Sequence, residues 1–355
     1  MSADLQRTVQ PAQKDIGGPA QPLLIARGLK KHFVVRGSSL LGGGAAKVRA
    51  VDGVSFSVAK GETLAVVGES GCGKSTLARL LARLLEPDAG ELVFDGLGVA
   101  QFGGMALKEF RRNLQMVFQD SYASLNPRMP VGEAIAYGPQ VHGLPTAQAR
   151  ERAHALLARV GLAPELYAQR YAHELSGGQR QRVNIARALA FEPRLLILDE
   201  AVAALDKSVQ AQVLNLLQEL KAEHGLTYLF ISHDLHVVHY IADRVMVMYL
   251  GQVVETGPAQ ALFKQARHPY TRALLSAVPS MDPSRRTQVS PLAGDPPNPI
   301  NPPSGCRFRD RCPMAQAVCA ARVPVMRETP DGHAAACHFD SAFGAPAPFD
   351  MATVV

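Results

Sequence analysis

The chain becomes apolar at about residue 24, after a polar and small-residue start, and its hydrophobic positions then follow two different periods. Residues 48–58 alternate apolar with polar, as a half-buried strand does, and Lys60-Gly61 turns the chain. Residues 63–67 form a short apolar run, expected to be a buried strand. A glycine-rich loop follows at 68–73, and then Leu77, Leu80, Leu81, Leu84 and Leu85 recur at helical spacing until Pro87. Residues 105–190 read mostly as helix, interrupted by a polar loop at 120–130. Beyond them come apolar strands at 195–198 and 226–231, and a hairpin over 244–255 turning at Leu250-Gly251. Strands alternating with helices predict an α/β core built on a parallel sheet, with the middle helical stretch as an inserted subdomain. The character changes after Lys264. A helix over 269–278, a proline-rich linker at 296–303 and a cysteine-bearing tail place a boundary near 265–290.

Composition narrows the class. The 355 residues suffice for a large domain plus an appendage, and 47% hydrophobic with 19% charged residues is a globular balance. No run reaches the roughly 18–20 consecutive apolar residues of a membrane-crossing helix, so the chain is not expected to form a pore itself. Gln, Asp and Lys stand in residues 1–18 where a secretory signal needs an apolar core, and a cytosolic chain is expected. The net charge of +6 is scattered rather than blocked, and by itself selects neither nucleic acid nor an anionic membrane leaflet as partner.

Two segments carry candidate chemistry. Gly68-Glu69-Ser70-Gly71-Cys72-Gly73-Lys74-Ser75, continued by Thr76, satisfies the P-loop pattern between a predicted buried strand and an amphipathic helix. Glycines let backbone N–H groups turn inward around phosphates, and the helix N-terminus adds its positive dipole. Lys74 is expected on the β- and γ-phosphates of ATP and Ser75 on Mg²⁺. Residues 195–200, Leu-Leu-Ile-Leu-Asp-Glu, are an apolar strand ending in two carboxylates, at the strand end where such sheets bind ligands. Asp199 would hold Mg²⁺ and Glu200 would orient the attacking water. Paired acids after an apolar run are by themselves often a solvated strand end; co-occurrence with the P-loop gives them force.

Leu175-Ser176-Gly177-Gly178-Gln179 resembles the signature of ABC ATPases. Two glycines allow close approach to a phosphate, Ser176 offers a hydroxyl, and a helix begins behind them. The resemblance implies that this cradle serves the ATP of an opposite subunit, in a head-to-tail pair of ATPases. It also makes Gln119 the Q-loop glutamine near Mg²⁺, His233 the switch histidine, and Asp206 the D-loop aspartate. In the D-loop, Ala201 and Ala203 stand where the family usually has proline and serine. Phe33 is the candidate aromatic for stacking on adenine, with core packing as its other reading.

Three further segments resemble the ATPase subunits of dipeptide and oligopeptide permeases, and most of all their F-type subunit: residues 121–128 after the Q-loop, His268-Pro269-Tyr270-Thr271, and a tail holding Cys306, Cys312, Cys319 and Cys337. The implied fold class is α/β, a P-loop NTPase of ABC type with an inserted helical subdomain and a small C-terminal cysteine-containing extension. The corresponding division is a disordered segment at 1–23, the ATPase domain at 24–265 with its helical subdomain at about 105–190, the extension at 266–345 and a tail at 346–355. The implied activity is ATP hydrolysis that powers import of dipeptides or oligopeptides from the cytoplasmic face of the inner membrane. Implied partners are a second ATPase subunit, two membrane permease subunits and, indirectly, a substrate-binding protein, with no nucleic acid. Relatives of this group also import nickel and other small solutes, and a soluble ABC ATPase is the remaining alternative.

For the four tail cysteines disulfides do not suit a reducing cytosol, and structural zinc usually uses short C-x₂₋₄-C knuckles that are missing here. A [4Fe–4S] cluster suits wider loops, although the spacing is neither common ferredoxin pattern. The permease resemblance implies a [4Fe–4S] cluster, with zinc and then buried thiols as the alternatives. Cys72 stands apart as a small residue of the P-loop. His333 and His338 are expected at the surface.

Overall fold

The computed structural model describes residues 16–18, 20–35, 46–100, 103–277, 298–340 and 342. The alternating segment at 48–58 lies within β2 (Ala46–Val58), which pairs antiparallel with β1 (Leu24–Val35); β1 also pairs antiparallel with β4 (Ala89–Phe94), and β5 (Leu97–Gly98) completes a sheet of order β2-β1-β4-β5, the last two strands having no counterpart in the sequence reading. A second sheet runs β11-β12-β10-β9-β3-β8-β7-β6. Its strands are β3 (Thr63–Val67), β6 (Leu114–Val117), β7 (Leu195–Asp199), β8 (Thr227–Ile231), β9 (Arg244–Tyr249), β10 (Gln252–Pro258), β11 (Arg327–Glu328) and β12 (Ala334–Ala335). From β6 to β9 the neighbours are parallel, and β3, β7 and β8 are buried at every position. Burial on both faces is why these segments read as unbroken apolar runs.

Helix α1 (Lys74–Leu81) joins the two sheets, its Leu77 and Leu81 sharing one apolar cluster with Val54 of β2 and Ile197 of β7. Helices α2 (Leu107–Asn113), α3 (Val131–Val141), α4 (Thr146–Arg159), α5 (Pro164–Tyr167) and α6 (Gly177–Leu189) supply the predicted helical stretch. The last four pack around a second apolar cluster that reaches Leu196 and Leu198. Helices α7 (Lys207–His224), α8 (Leu235–Ile241), α9 (Ala259–Lys264), α10 (Pro269–Ser276) and α11 (Ala317–Ala321) complete the chain. Among the described residues no helix is long and apolar enough to cross a membrane.

Several expectations are corrected. Helix α1 stops at Leu81, not at Pro87: Arg83 takes a left-handed φ of 53°, and the N–H groups of Arg83 and Leu84 close back on the carbonyls of Leu80 and Arg79 at 3.0 and 2.9 Å. That paired closure ends a helix whatever the leucine spacing beyond it, and Leu84 is left exposed. Within the mostly helical stretch, residues 114–117 form β6, because Leu114, Met116 and Val117, with Gln115 among them, find β7 as a parallel partner. Of the segment expected to be disordered, residues 1–15 and 19 lie outside the described residues, but Ile16 and Gly17 donate their N–H groups to Asp95 and Leu23 is buried.

The extension is no separate body. Its β12 pairs with β10, and Ala336 N–H bonds to Val254 at 2.8 Å. A buried polar hub ties the two together: Glu255 of β10 accepts the N–H groups of Arg267 and His268 at 2.7 and 2.9 Å and pairs with the His333 ring at 2.7 Å. Arg267 in turn holds the buried carboxylate of Asp340. His333, expected at the surface, is therefore buried; His338 is half-buried, its ring nitrogen 3.0 Å from the Arg322 carbonyl. The last residues of the extension and the tail at 346–355 lie outside the described residues.

Candidate functional site

The phosphate-type loop runs from the end of β3 at Val67 to the start of α1 at Lys74. Gly68 and Gly73 have φ of 150° and 110°, and a Cβ on them would stand 2.2 Å from the Met248 carbonyl and 2.1 Å from that of Ala50. Side chains are excluded at both ends, so the loop in between is shaped by its backbone. Ser70 and Gly71 form its tip; Cys72 is buried, and its carbonyl accepts the Gly251 N–H at 2.8 Å. Lys74 is only 5% exposed and its ammonium lies inside the loop, donating to the carbonyls of Gly68 and Glu69 at 2.7 and 3.0 Å. Ser75 and Thr76 occupy the first turn of α1.

The Ser75 hydroxyl donates to Asp199 at 3.2 Å, joining the loop to the end of β7. Burial raises the Asp199 carboxyl above its ordinary value, and the neighbouring Glu200 charge adds to this. Glu200 has a left-handed φ of 49°, a strained conformation for a residue with a Cβ, and its N–H is held by the Ile231 carbonyl at 3.0 Å. One carboxylate oxygen accepts from Gln119 at 2.7 Å, and the other lies 3.3 Å from the His233 ring. Three elements, following β6, β7 and β8, thus deliver Gln119, Glu200 and His233 to one point. The turn that carries His233 is fixed by Asp234, which caps α8 and pairs with Lys207 at 3.0 Å. Asp206 caps α7 through the Val209 N–H at 2.9 Å, and Ala201 and Val202 before it are buried.

The signature segment has another character. Ser176 caps α6 in a reciprocal box with Gln179, at 2.9 and 3.3 Å, and Leu175 is buried behind it. A Cβ on Gly178 would meet Val209 at 2.4 Å, and Gly177 is loosely neighboured. Among the described residues the hydrogen bonds of residues 176–179 stay within the helical subdomain, the farthest reaching Tyr167 at 3.1 Å. Phe33 is 37% exposed near the end of β1, with the Lys31 ammonium 5.9 Å from its ring centre, so it is not a core residue.

The family model described as ABC transporter matches residues 51–203, and that of the oligopeptide/dipeptide transporter C-terminal region matches residues 254–319. A putative peptide import ATP-binding protein of Brucella ovis is 51% identical over 321 residues, covering 90% of this chain and 98% of the relative. The chain belongs to the ABC transporter family. The oligopeptide transport ATP-binding protein AppF of Bacillus subtilis is 49% identical over 326 residues, again 90% of this chain and 98% of that one. Among solved structures, cbiO1 of Clostridium perfringens, part of the ABC transporter complex cbiONQ, matches with a TM-score of 0.58 and 30% identity over 69% of this chain and 91% of that chain.

In this ABC ATPase the 120–130 loop is fastened to α6, whose Asn184 donates to the Ser121 carbonyl at 2.9 Å and whose Arg187 donates to that of Ser124. Beside the loop lies a mostly apolar groove of ≈ 700 Å³, lined in part by Phe118, Met129, Tyr137, Val141 and Phe191. Tyr137 and Val141 are more than half exposed there.

Of the four tail cysteines of the ABC subunit, Cys319 is buried and Cys306, Cys312 and Cys337 are half-buried. Burial pushes the Cys306 thiol up to about 11, with Cys319, Cys312 and Cys337 adding to the effect, and burial likewise raises Cys312 and Cys337. Gly305, at φ 64°, lets the chain pass 2.7 Å from the Cys319 carbonyl at the Cys306 N–H, where a Cβ on residue 305 would collide. Yet among the described residues no group of three or more His, Cys, Asp or Glu is placed to hold a metal ion. The thiols influence one another electrostatically but are not arranged as a ligand set.

Sequence reasoning gave the extension a metal at its cysteines and no part in the nucleotide loop. Tyr270 and Arg311 both end on Glu69 of the loop, at 2.8 Å and at 2.7 and 3.1 Å. Tyr270 lies in the His268–Thr271 segment and Arg311 directly before Cys312, but no spacing links them to a loop 201 and 242 residues away.

Proposed function

We propose that this chain is the ATP-hydrolysing subunit of an importer of dipeptides or oligopeptides, bound peripherally at the cytoplasmic face of the membrane. The observation that carries the ATPase chemistry is the convergence of Gln119 and His233 on the Glu200 carboxylate, next to Asp199 and the loop. The loop amides and Lys74 bind the phosphates of ATP, and Phe33 stacks on adenine. Mg²⁺ falls to the hard oxygen donors Ser75 and Asp199, with Gln119 nearby, and supplies charge neutralisation on the phosphates when bound. Glu200, oriented from both sides, positions the attacking water, and His233 senses the γ-phosphate. The strained backbone of Glu200 is consistent with a group held for chemistry rather than for stability.

Ser176, Gly177 and Gly178, with Leu175 and Gln179, serve the ATP of a second ATPase subunit, and Asp206 lies at the contact between the two. Two membrane permease subunits dock on the groove beside residues 120–130. Because Gln119 touches Glu200 and α6 holds the following loop, a displacement there moves both the water-positioning carboxylate and the signature helix. The peptide cargo is supported by the names of the Brucella and Bacillus relatives and by the match of the extension. A substrate-binding protein delivers it.

For Cys306, Cys312, Cys319 and Cys337 the support for a [4Fe–4S] cluster is the donor chemistry alone, four thiols within electrostatic reach of one another. Anaerobically purified protein should then be brown with about four irons per chain; zinc, or titratable thiols without metal, overturns the cluster.

The test is the transporter reconstituted in vesicles with its permeases and binding protein. ATP hydrolysis should rise with dipeptide or oligopeptide. Stimulation by nickel instead would move the cargo to small solutes, and hydrolysis indifferent to permeases would favour a soluble ATPase.

A further inference from the structure

Glu69 is a carboxylate inside a loop built to bind anions. Unpaired, its charge would oppose a triphosphate, and at such short range in a partly buried site that opposition is poorly screened. The structure shows where the charge goes. The Arg311 guanidinium, its side chain 6% exposed, makes a forked pair with both Glu69 oxygens at 2.7 and 3.1 Å. The fork fixes the direction of the carboxylate as well as neutralising it.

The same residue is held at its backbone. Tyr270 is fully buried, and its hydroxyl accepts the Glu69 N–H at 2.8 Å. Its placement follows from the local sequence: the His268 ring caps α10 through the Tyr270 N–H at 3.1 Å, Pro269 starts the helix, and the Tyr270 ring then packs against Tyr249 and Phe308. Burial drives the His268 ring down to about 4, which keeps it neutral and able to accept. A second strut ends nearby. Arg307 donates to the Leu250 carbonyl and pairs with Asp52, and Leu250 precedes the Gly251 whose N–H holds the Cys72 carbonyl. The extension therefore grips the loop directly at Glu69 and, through the hairpin tip, at Cys72.

We propose that Arg311 and Tyr270 are positioning residues of the nucleotide site: they turn and neutralise Glu69 so that the loop receives the phosphates of ATP without an opposing carboxylate. The extension is by this account part of the nucleotide site. The inference rests on the reading of residues 68–76 as the ATP loop.

The experiment is equilibrium binding of a fluorescent ATP analogue to the full-length chain. Wild-type binding tests the ATP loop itself and separates the two readings. Arg311→Met should weaken binding about 10-fold, corresponding to one unpaired partly buried charge. Glu69→Gln in the Arg311→Met background should recover most of that loss, because the offending charge is gone. A merely structural role for Arg311 predicts no such rescue. Tyr270→Phe keeps the ring packing and should weaken binding about threefold, which carries the test even if Arg311→Met does not fold. Unchanged affinity in Tyr270→Phe and Arg311→Met, or a loss in Arg311→Met that Glu69→Gln leaves in place, overturns the proposal.

Discussion

The two glycine-rich segments of this chain, residues 68–76 and 175–179, resemble each other in composition and differ in how they are held. The first is fastened from several directions: by its flanking strand and helix, by the β9–β10 hairpin tip at Cys72, by Asp199 at Ser75 and by the extension at Glu69. The second is organised by its own capping box and the adjacent helical subdomain; Gly178 packs on Val209 of α7, but among the described residues the hydrogen bonds of 176–179 stay within that subdomain. A loop that must hold one geometry against a highly charged ligand gains from such struts, because preorganised donors need not be rearranged on binding. A loop that must meet a ligand carried by another subunit gains from being finished locally and left open. The composite site proposed above gives the first part to residues 68–76 and the second to residues 175–179.

The largest expected effect removes a strut. Asp340→Ala leaves the buried Arg267 without its carboxylate and should cost about 3–5 kcal/mol of stability, read by chemical denaturation of the full chain. Burial opposes ionisation of Asp340, yet the Arg267 hydrogen bonds win and hold its carboxyl below the usual range. A folded pKa below the unfolded one contributes stability above about pH 4 that is lost as pH falls through the native value. Acid melts should therefore show a steeper loss below about pH 4 for the wild type than for Asp340→Asn; identical acid limbs would count against the hub.

Next in size is Glu200→Gln, which should lower hydrolysis by about 100-fold or more while ATP still binds, measured as phosphate release from the assembled transporter. Near-normal turnover would remove Glu200 from its role. Ser176→Arg sharpens the comparison most directly. Hydrolysis at the partner's site should fall about tenfold or more while this chain's own loop keeps its affinity, and nucleotide trapping that located the loss in its own loop would break the composite arrangement. The smallest effect is expected of Phe33→Ala. Loss of one exposed stacking ring is worth about 1 kcal/mol, or roughly fivefold in ATP affinity, readable by titration; no change would return Phe33 to a surface residue without a part in binding.

What was legible in the sequence follows from distance along the chain. β3, β7 and β8 are buried on both faces and so had to be apolar, which made them readable as short runs. The loop, the two acids, Gln119, His233 and Ser176 were each readable within segments of a few residues, since their geometry is set by a strand end, a turn or a helix cap. The end of α1 was misread because a left-handed Arg83 carries no sequence mark that glycine would have carried. β6 has no mark in the sequence because three apolar residues broken by Gln115 become a strand only when a partner is beside them.

By itself, the sequence determined the ABC-type core, the order of its elements and the residues of each local motif, because hydrophobic period and glycine placement act over one turn or one strand. Only the tertiary structure decided that Gln119 and His233 close on Glu200, that His333 is buried rather than exposed, and that Tyr270 and Arg311 reach back to Glu69. These are pairings between charged or polar groups far apart in the chain. Their partners are chosen by which elements the packed sheets bring together, and a buried charge without such a partner is too costly to persist, so the contact is specific although nothing local announces it.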